Sequence, residues 1–276
     1  ALKQQMHDAK AMEAKVLAAP DKQISLTDPD ARAMATNARS SGVVGYNVQT
    51  TVDTKHHLIV AHEVTNDMSD RRQLSKMARQ ARSAIETDDL EVIADRGYFN
   101  SEEIKATVDD GITLYVPKSL TSGNSAKGLF DRRDFHYIEE DDEYQCPAGE
   151  RLPNRMKTLD KGKTMHRYWS SNCQSCALKA NCTSAKERRV SRWEHEAVLE
   201  SVQKGLDRNP TMMQIRKQTV EHPFGTIKSW MGSAHFQTKT LKRVSTEMSL
   251  HVLAYNLKRM ISIMGVGPLM TAIRAQ

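Results

Sequence analysis

The stretch Leu90-Glu-Val-Ile-Ala-Asp95-Arg-Gly-Tyr98 constrains the fold more than any other part of the sequence. Apolar, partly β-branched residues run directly into an acidic residue, which predicts a buried central strand with a carboxylate at its carboxyl end. In an open α/β sheet, ligands and metals bind in the crevice beyond such strand ends. An Asp after a strand more often caps a helix or shapes a turn. On this stretch alone, Asp95 is open to both interpretations.

The composition is that of a globular chain of moderate size. With 276 residues, 39% hydrophobic and 27% charged, the chain can form one large domain or two modest ones. No run approaches the ~18 apolar residues of a membrane helix. We therefore expect no membrane partner, no secretory leader and a cytoplasmic location. The first residue is Ala and is already in helical register, which predicts a fragment or a processed product.

Positive charge is concentrated in the second half of the chain. The net charge is +6, and residues 151–230 contain 16 Lys and Arg against 7 Asp and Glu. Such a segment favours a polyanionic partner, although many surfaces are basic without one.

Hydrophobic periodicity predicts alternating helices and strands before residue 120. In chain order these are a helix over 2–18 that ends before Pro20, strands over 45–53 and 57–65, a helix over 71–85, the strand that ends at Asp95, a helix over 101–108 and a strand over 112–117. The first two strands are joined by a short turn at Asp53 and are predicted to be antiparallel. The helix over 71–85 is predicted to bury Leu74, Met77, Ala78, Ala81 and Ile85.

The character of the chain changes after residue 120. Residues 121–195 are polar and loop-rich and contain all four Cys, which predicts an inserted subdomain. The predicted division is 1–24 (end of an upstream helical segment), 25–120 (first part of the core), 121–195 (inserted four-cysteine subdomain) and 196–276 (C-terminal helices of the core). Helices are predicted over 198–206, 210–230 and 244–264. The last is expected to bury Leu250, Leu253, Ala254, Leu257, Ile261 and Met264.

A second carboxylate of interest, Glu221, lies in the predicted helix over 210–230. Lys217, Glu221 and Lys228 are expected on one face, beside an inward stripe. Pro223 is expected to kink or break this helix because it lacks a backbone donor. The alternative is a surface Lys–Glu–Lys ladder with no chemical role, worth a few tenths of a kcal/mol per pair.

Taken together, these motifs resemble the DDE transposases of bacterial insertion sequences. The resemblance rests on Asp-Arg-Gly-Tyr98 at a strand end and Val-Glu-His-Pro-Phe-Gly-Thr-Ile-Lys228 on a late helix. Further matching segments are Thr27-Asp-Pro-Asp-Ala31, Gly45-Tyr-Asn-Val-Gln49, Val64-Thr-Asn66 with Asp70, and Glu247 followed by Leu253-Ala-Tyr-Asn-Leu257. The similarity covers essentially the whole chain.

The resemblance implies an α/β fold with an RNase H-like mixed sheet flanked by helices, as in retroviral integrases. In this family two Asp and one Glu hold two divalent ions, Mg²⁺ or Mn²⁺, for attack on a phosphodiester. Asp95 would be the second acid and Glu221 the third, both catalytic and metal-binding. Lys228 would contact DNA near the cleaved end. The implied partners are transposon ends and target DNA, bound by a homodimer.

Two departures from the family pattern affect this interpretation. In the family's Tyr-Arg-Glu-Lys motif, Tyr and Arg precede the Glu by seven and four residues, where this chain has Gln214 and Lys217. Arg216 is one position out of register, so Lys217 and Arg216 are both retained as DNA-binding candidates.

The second departure concerns the first acid, which close relatives carry in an Asp-Gly-Thr on the first strand. No Asp-Gly-Thr occurs here, and only two strands are predicted before the helix over 71–85. We therefore expect the first strand and the first catalytic Asp to be missing. Asp53 is the best local substitute, but its position at a hairpin favours ordinary turn chemistry.

The four cysteines form a separate pattern. Cys146, Cys173, Cys176 and Cys182 include one Cys-x-x-Cys pair, which favours a structural tetrahedral zinc site. Disulfides and free buried thiols are the alternatives. Nearby basic residues are expected either to contact DNA phosphate or to form a solvated face; they are Lys179, Lys186, Arg188, Arg189 and Arg192.

The sequence thus predicts an insertion-sequence transposase that binds terminal inverted repeats and performs metal-dependent cleavage and strand transfer. An inactive remnant that only binds DNA is the principal alternative. A general RNase H-like nuclease is a third possibility.

Overall fold

The computed structural model describes residues 2–19, 21–34, 42–119 and 123–275. Pro20 and the predicted boundary at Thr121 lie outside these residues. The chain divides into two compact units: Ala1–Pro117 with Gln203–Gln276, and Lys118–Val202. No helix in the described part of the chain is long and apolar enough to span a membrane.

The predicted helices and strands are each found, with ends that differ by a few residues. The helices are α1 (Leu2–Ala18), α2 (Leu74–Ile85), α3 (Ser101–Asp109), α4 (Glu196–Arg208), α5 (Met212–Gly225), α6 (Leu241–Met264) and α7 (Val266–Arg274). The strands are β1 (Arg32–Met34), β2 (Val43–Gly45), β3 (Asn47–Val52), β4 (Ile59–Thr65), β5 (Glu91–Ile93), β6 (Thr113–Tyr115), β7 (His136–Ile138), β8 (Glu143–Gln145), β9 (Arg151–Asp160), β10 (Lys163–Tyr168) and β11 (Val190–Trp193).

The fold is mixed α/β, but the predicted mixed sheet is not continuous in the described residues. The first unit contains three separate two-stranded sheets: antiparallel β1–β2, antiparallel β3–β4 and parallel β5–β6. The second unit contains one antiparallel sheet in the order β11-β10-β9-β8-β7.

Strand β5 departs from its prediction as a buried central strand. It pairs only with β6 among the described strands, from Glu91 opposite Thr113 to Ile93 opposite Tyr115. Val92 and Ile93 are only half-buried. The apolar run was correctly assigned as a strand, but it has a neighbour on one side only, which leaves its other edge open.

The core of the first unit forms where α6 packs on the β3–β4 hairpin. Its buried residues are Ile59, Val64, Ile227, Val244, Met248, Val252 and Tyr255. The Asn256 side chain accepts from the Ile59 N–H at 2.9 Å and donates to the Ile59 carbonyl at 2.8 Å. The Tyr255 hydroxyl donates to the His57 carbonyl at 2.6 Å. These bonds attach the helix to the start of β4.

Helix α6 buries a different face from the one predicted. Val244, Met248, Val252 and Tyr255 are buried, whereas most of the predicted stripe is exposed; that stripe is Leu250, Leu253, Ala254, Leu257, Ile261 and Met264. Both stripes have helical spacing, so periodicity alone could not choose between them. Ile85 was also predicted to face inward; it is 45% exposed, because α2 ends there.

The beginning of α6 is held by the first turn-rich segment. Asp28 is buried and accepts hydrogen bonds from the Tyr46 hydroxyl at 2.7 Å and from the Thr240 N–H at 3.2 Å. Asp30 accepts from the Leu241 N–H at 2.8 Å. The Asp-Pro-Asp segment therefore caps a helix more than 200 residues away, a contact that its local turn pattern did not predict.

The second unit is built around buried aromatic residues. Its core comprises Phe135, Tyr144, Leu152, Tyr168 and Val190. Asp142 accepts hydrogen bonds from the hydroxyls of Tyr137 and Tyr168 at 2.9 and 2.6 Å. Arg192, considered above as a DNA contact, is buried, forms an ion pair with Glu200 and lies 3.7 Å from the Tyr137 ring centroid. That surface role is therefore wrong for Arg192.

Candidate active site

Asp95 follows β5 and begins a short 3-10 turn at Arg96–Tyr98. Its Oδ1 accepts the Gly97 N–H at 2.8 Å. A Cβ at position 97 would lie 2.9 Å from this oxygen, so any other residue would force the Asp95 carboxylate to shift, whereas Asp70 Oδ2, at 3.7 Å, would be in ordinary contact. Asp95 thus caps the turn that follows it, as the alternative to a functional role predicted. Its second oxygen, Oδ2, is left for other contacts.

Arg216 on α5 makes that contact. Its Nη2 donates to Asp95 Oδ2 at 2.6 Å, and both side chains remain partly exposed. Sequence reasoning retained Arg216 only as an out-of-register DNA-binding candidate. Its partner across 121 positions of sequence could not be read from local spacing. The arginine orients the carboxylate from one side while the Gly97 amide holds it from the other.

A polar network buttresses the turn after Asp95. The Tyr98 hydroxyl donates to Gln49 Oε1 at 2.5 Å, and Gln49 Nε2 donates to Asp70 Oδ1 at 2.7 Å. Asn47 Nδ2 donates to the same Asp70 oxygen at 2.8 Å. Burial raises the pKa of the Tyr98 hydroxyl, and the charges of Asp70 and Asp95 raise it further, so this hydroxyl stays protonated. Asp70, which the sequence marked only as a position that matches the family pattern, lies close to Asp95: the Oδ2 of Asp70 and the Oδ1 of Asp95 are both within 4 Å of where a Cβ on Gly97 would lie.

Glu221 on α5 lines the same cleft as Asp95. The cleft has a volume of about 840 Å³, and its walls include residues of β3, β5, α2 and α5. Glu221 is exposed and makes no hydrogen bond or ion pair within the described residues. The alternative of a Lys–Glu–Lys ladder is therefore not observed there. A free carboxylate facing the cleft remains available for a cation.

The three basic candidates occupy different positions around Glu221. Lys228 lines the cleft, with its Nζ 5.8 Å from the Phe224 ring centroid. Arg216 lines it too and is bound to Asp95. Lys217 is exposed but does not belong to the cleft wall. Arg216 and Lys228 thus line the same cleft as the two acids, and Lys217 does not.

Helix α5 passes through Pro223 without breaking, contrary to expectation. The α-helix continues to Gly225 and then changes to a π-helical turn over Thr226–Trp230. Pro223 is fully buried. The π-helical turn begins three residues after the proline and carries Lys228. π-Helical turns of this kind are frequent at functional sites.

Asp53 borders the cleft, but its carboxylate is used in the hairpin turn. It accepts the N–H groups of Lys55 and His56 at 3.2 and 2.6 Å. It lies four residues along the chain from Gln49, about 13 Å away at ~3.3 Å per residue. Because Gln49 contacts Tyr98 beside Asp95, Asp53 lies toward the other end of β3. The geometry supports the turn interpretation.

The fit of this site to divalent metal ions is incomplete within the described residues. Asp95 and Glu221 supply hard oxygen donors, which Mg²⁺ and Mn²⁺ prefer. However, no group of three or more His, Cys, Asp or Glu in the described part of the chain is arranged to hold a metal. Asp95 and Glu221 therefore line the same cleft, and the described residues do not form a complete set of metal ligands there.

A second, shallower pocket lies on the other side of Glu221. Its volume is about 550 Å³, and it is bordered by Trp230, Lys258 and Arg259. Trp230 is 80% exposed, with the Lys258 Nζ 4.9 Å from its ring centroid. An exposed indole beside cations can stack on a nucleic-acid base. The sequence analysis did not single out these residues.

The four cysteines border one small cavity in the second unit, of about 30 Å³. None of them is in a disulfide. Burial raises the pKa of the Cys182 thiol; Arg188 lowers it, and Cys173, Cys146 and Cys176 raise it. The four thiols therefore border the same cavity, but the described residues contain no cluster with metal-binding geometry. Four thiol ligands suit zinc chemically.

Comparison with known proteins identifies the family of one segment. Residues 145–261 match a family model described as a transposase DDE domain. This range contains Glu221, Lys228 and all four cysteines, but not Asp95. No significant match exists among curated proteins or among solved structures. Over residues 145–261 the chain is therefore similar to transposase DDE domains, which agrees with the family indicated by its motifs.

Proposed function

We propose that this chain belongs to an insertion-sequence transposase that binds terminal inverted repeats and cleaves and joins DNA with divalent metal ions. The observation that carries the proposal is the shared cleft, to which Asp95, Glu221, Arg216 and Lys228 all contribute. Two acids flanked by two cations match the needs of a negatively charged phosphodiester and its metal ions.

Each residue has a distinct task in this proposal. Asp95 and Glu221 would hold Mg²⁺ or Mn²⁺, and the bound cation would supply Lewis-acid activation of the phosphodiester. Arg216 keeps the Asp95 carboxylate in one orientation. Lys228, at the cleft wall, would contact a DNA phosphate, as would the exposed Lys217 outside it. Trp230 would stack on a base next to Glu221.

The proposal includes an RNase H-like core whose first strand and first acid lie outside the described residues. Its support is the incomplete ligand set, together with the open edge of β5 next to Asp95. The predicted division at residues 24, 120 and 195, the homodimer on paired ends and the cytoplasmic, nucleoid-associated location are parts of the same proposal.

Substitution of the two acids tests the active site. In a version of the protein that carries the upstream segment, Asp95→Asn or Glu221→Gln should abolish cleavage of labelled insertion-sequence ends, because each removes a metal-binding charge. DNA binding in a gel-shift assay should change little. Asp53→Asn is the matched control, since its one amide oxygen can still accept the shorter turn hydrogen bond, from the His56 N–H, and it should cleave normally. Cleavage retained in either acid variant would contradict the assignment.

The second candidate function is a remnant that binds DNA without cleaving it. The observation in its favour is that the described residues contain no group of three or more potential ligands arranged to hold a metal. Sequencing the DNA upstream of the Ala1 codon distinguishes the two. An in-frame upstream sequence that encodes a strand with Asp-Gly-Thr would support the enzyme. A stop codon there would support the remnant. A general nuclease would cleave DNA ends of any sequence and produce no strand-transfer products.

We further propose that Cys146, Cys173, Cys176 and Cys182 bind one structural zinc ion. Its support is the thiolate-rich donor set around one cavity. Purified protein should contain close to one zinc per chain by elemental analysis, and Cys173→Ser should lose it and melt at a lower temperature. Ser175→Ala, one residue from Cys176, is the control and should keep its zinc. Folded wild-type protein without metal would refute the site.

A further inference from the structure

Helix α5 carries Glu221 but is weakly packed against the rest of its unit. Within Met212–Gly225, all of which the structure describes, only Thr219 and Pro223 are buried. The other positions are exposed or half-buried. A side chain that works in a metal site has to be held within about 0.5 Å of its productive position. Buried contacts at two positions give little resistance to rotation about the helix axis, so polar contacts have to fix the helix.

Two polar contacts hold this helix, one on each side of its buried residues. Arg216 Nη2 donates to Asp95 Oδ2 at 2.6 Å, and His222 Nδ1 lies 2.9 Å from the Tyr255 hydroxyl oxygen. Because successive residues of an α-helix are ~100° apart, Arg216 and His222 flank the buried stripe, and Glu221 projects from the opposite side. Rotation of the helix in either direction would therefore strain one of the two contacts.

The direction of the hydrogen bond at His222 follows from the second bond of Tyr255. A phenolic hydroxyl has one hydrogen, and Tyr255 donates it to the His57 carbonyl at 2.6 Å. The hydroxyl oxygen can only accept from its other neighbour, so His222 carries its hydrogen on Nδ1 and donates to Tyr255. Tyr255 is 1% exposed and belongs to the core of the unit. The bond therefore connects α5 to a buried residue of α6 and, through it, to the turn before β4.

The His222 ring makes a second contact with the same turn. It stacks on the His57 ring, with the centroids 5.1 Å apart and the planes 21° from parallel. Stacking limits the tilt of an aromatic ring. The ring is therefore restrained both in its plane and at Nδ1, although His222 as a residue is exposed.

We propose that His222 is a positioning residue for Glu221: its hydrogen bond to Tyr255 fixes the rotation of α5 and thereby the place of the neighbouring carboxylate in the cleft. With its side chains a helix has a radius of ~5–6 Å, so a rotation of ~10° would move the Glu221 carboxylate by ~1 Å. A shift of that size exceeds what a metal site tolerates. The inference rests on the proposed function, because Glu221 acts as a metal ligand only there.

The first test needs neither metal nor DNA, so it can fail independently of the proposed function. Hydrogen exchange of the backbone amides of residues 216–222 measures how firmly α5 is held. In Tyr255→Phe, which loses only the hydroxyl, these amides should exchange about five- to tenfold faster relative to those of α2. Tyr46→Phe is the matched control, since it removes a hydroxyl bond to Asp28 in the same unit, and should leave this ratio unchanged.

Substitutions of His222 test the bond from its other end. His222→Ala should accelerate exchange of the same amides as much as Tyr255→Phe does. His222→Asn places its amide nitrogen near the position of Nδ1 and can donate to Tyr255, so it should restore most of the protection. His222→Gln carries the amide one carbon further and should behave like the alanine variant. The double variant Tyr255→Phe/His222→Ala should exchange no faster than Tyr255→Phe alone, because both changes remove the same bond.

Cleavage of labelled insertion-sequence ends gives the functional measurement, in the version of the protein that carries the upstream segment. Tyr255→Phe and His222→Ala should raise the Mn²⁺ concentration for half-maximal cleavage by about 10- to 100-fold, as is typical when a residue that orients a metal ligand is lost. His222→Asn should come close to the wild-type requirement. The affinity for DNA ends should stay the same in all three variants. A merely structural role would not change the Mn²⁺ requirement.

Three results would overturn the proposal: unchanged α5 exchange in folded Tyr255→Phe, equal acceleration in His222→Asn and His222→Ala, or an Nε2–H tautomer of His222 in the ¹⁵N spectrum of the wild-type protein. If Tyr255→Phe does not fold, the variants of the exposed His222 decide the result. Absence of cleavage by the wild-type protein would contradict the proposed function, whereas the exchange measurements would still decide whether the His222 bond fixes α5.

Discussion

At the scale of single residues, Arg216 is the finding with the most direct consequence for the site. It contacts the candidate catalytic Asp95 and lies five positions before Glu221 in sequence. A partly exposed ion pair contributes at most about 1 kcal/mol to stability. Its importance is therefore positional: the guanidinium and the Gly97 amide together define which way the carboxylate points.

Arg216→Ala should lower the rate of DNA-end cleavage by about 10- to 100-fold, as is typical when a partner of a metal ligand is lost. It should also raise the Mn²⁺ concentration needed for half-maximal cleavage, which a purely structural role would not do. Arg79→Ala removes a comparable surface ion pair to Asp110 and is the control. An unchanged Mn²⁺ requirement would contradict the positioning role.

At the scale of elements, the two apolar stripes of α6 show why helix faces need a tertiary context. Met248 is 3% exposed and belongs to the core, whereas Leu250, two positions later, is 61% exposed. The exposed stripe continues toward α7, where Val266, Met270 and Ile273 are exposed as well. Sequence periodicity identified the helix but selected the wrong stripe.

Shortening one side chain in the buried stripe and one in the exposed stripe should change the free energy of unfolding by different amounts. Met248→Ala should lower the free energy of unfolding by about 2–5 kcal/mol, because it opens a cavity in the core. Leu250→Ala should change it by at most about 0.5 kcal/mol. Urea denaturation followed by circular dichroism measures both. Equal losses would mean that the exposed stripe is covered in solution.

At the scale of the whole molecule, buried and half-buried carboxylates in both units couple folding to pH. Burial raises the pKa of Glu196, but Arg132 and Lys118 outweigh it and hold the pKa below the ordinary value of 4.5. Burial likewise opposes the low pKa of Asp142, which hydrogen bonds from Tyr168 and Asn154 keep below 3.8. In the first unit, Glu247 has a lowered pKa because the Gln237 and Thr238 amides outweigh its burial.

A carboxyl with a lowered pKa in the folded state contributes stability above its unfolded pKa and loses it as pH falls through the folded one. The contribution of these carboxyls to the free energy of unfolding should therefore be constant near neutrality and decline below about pH 4.5. Urea denaturation at a series of pH values measures this. Glu196→Gln should cost about 1–3 kcal/mol at pH 7 and make the decline shallower. A decline as steep as that of the wild type would contradict the role of Glu196.

Much of the candidate site could be predicted because its signals are local. The apolar run that ends at Asp95 identified β5, helical spacing placed Glu221 and Lys228 on a late helix, and the grouping of cysteines marked a distinct segment. Residues that are neighbours in sequence determine whether a segment is a strand or a helix, because the periods of strands and helices depend on short-range backbone geometry.

Contacts between distant segments depended on the tertiary structure. These include the bond from Arg216 to Asp95, Asp70 beside the same turn, the Asp28 and Asp30 caps of α6 and the choice of its buried stripe. Periodicity gives the faces of an element but not its neighbours, because burial depends on what packs against it. The cleft that β3 and β5 both line belongs to the same class: the sequence determined the two strands, and only their packing left a cleft of about 840 Å³ beside Asp95 in the described part of the chain.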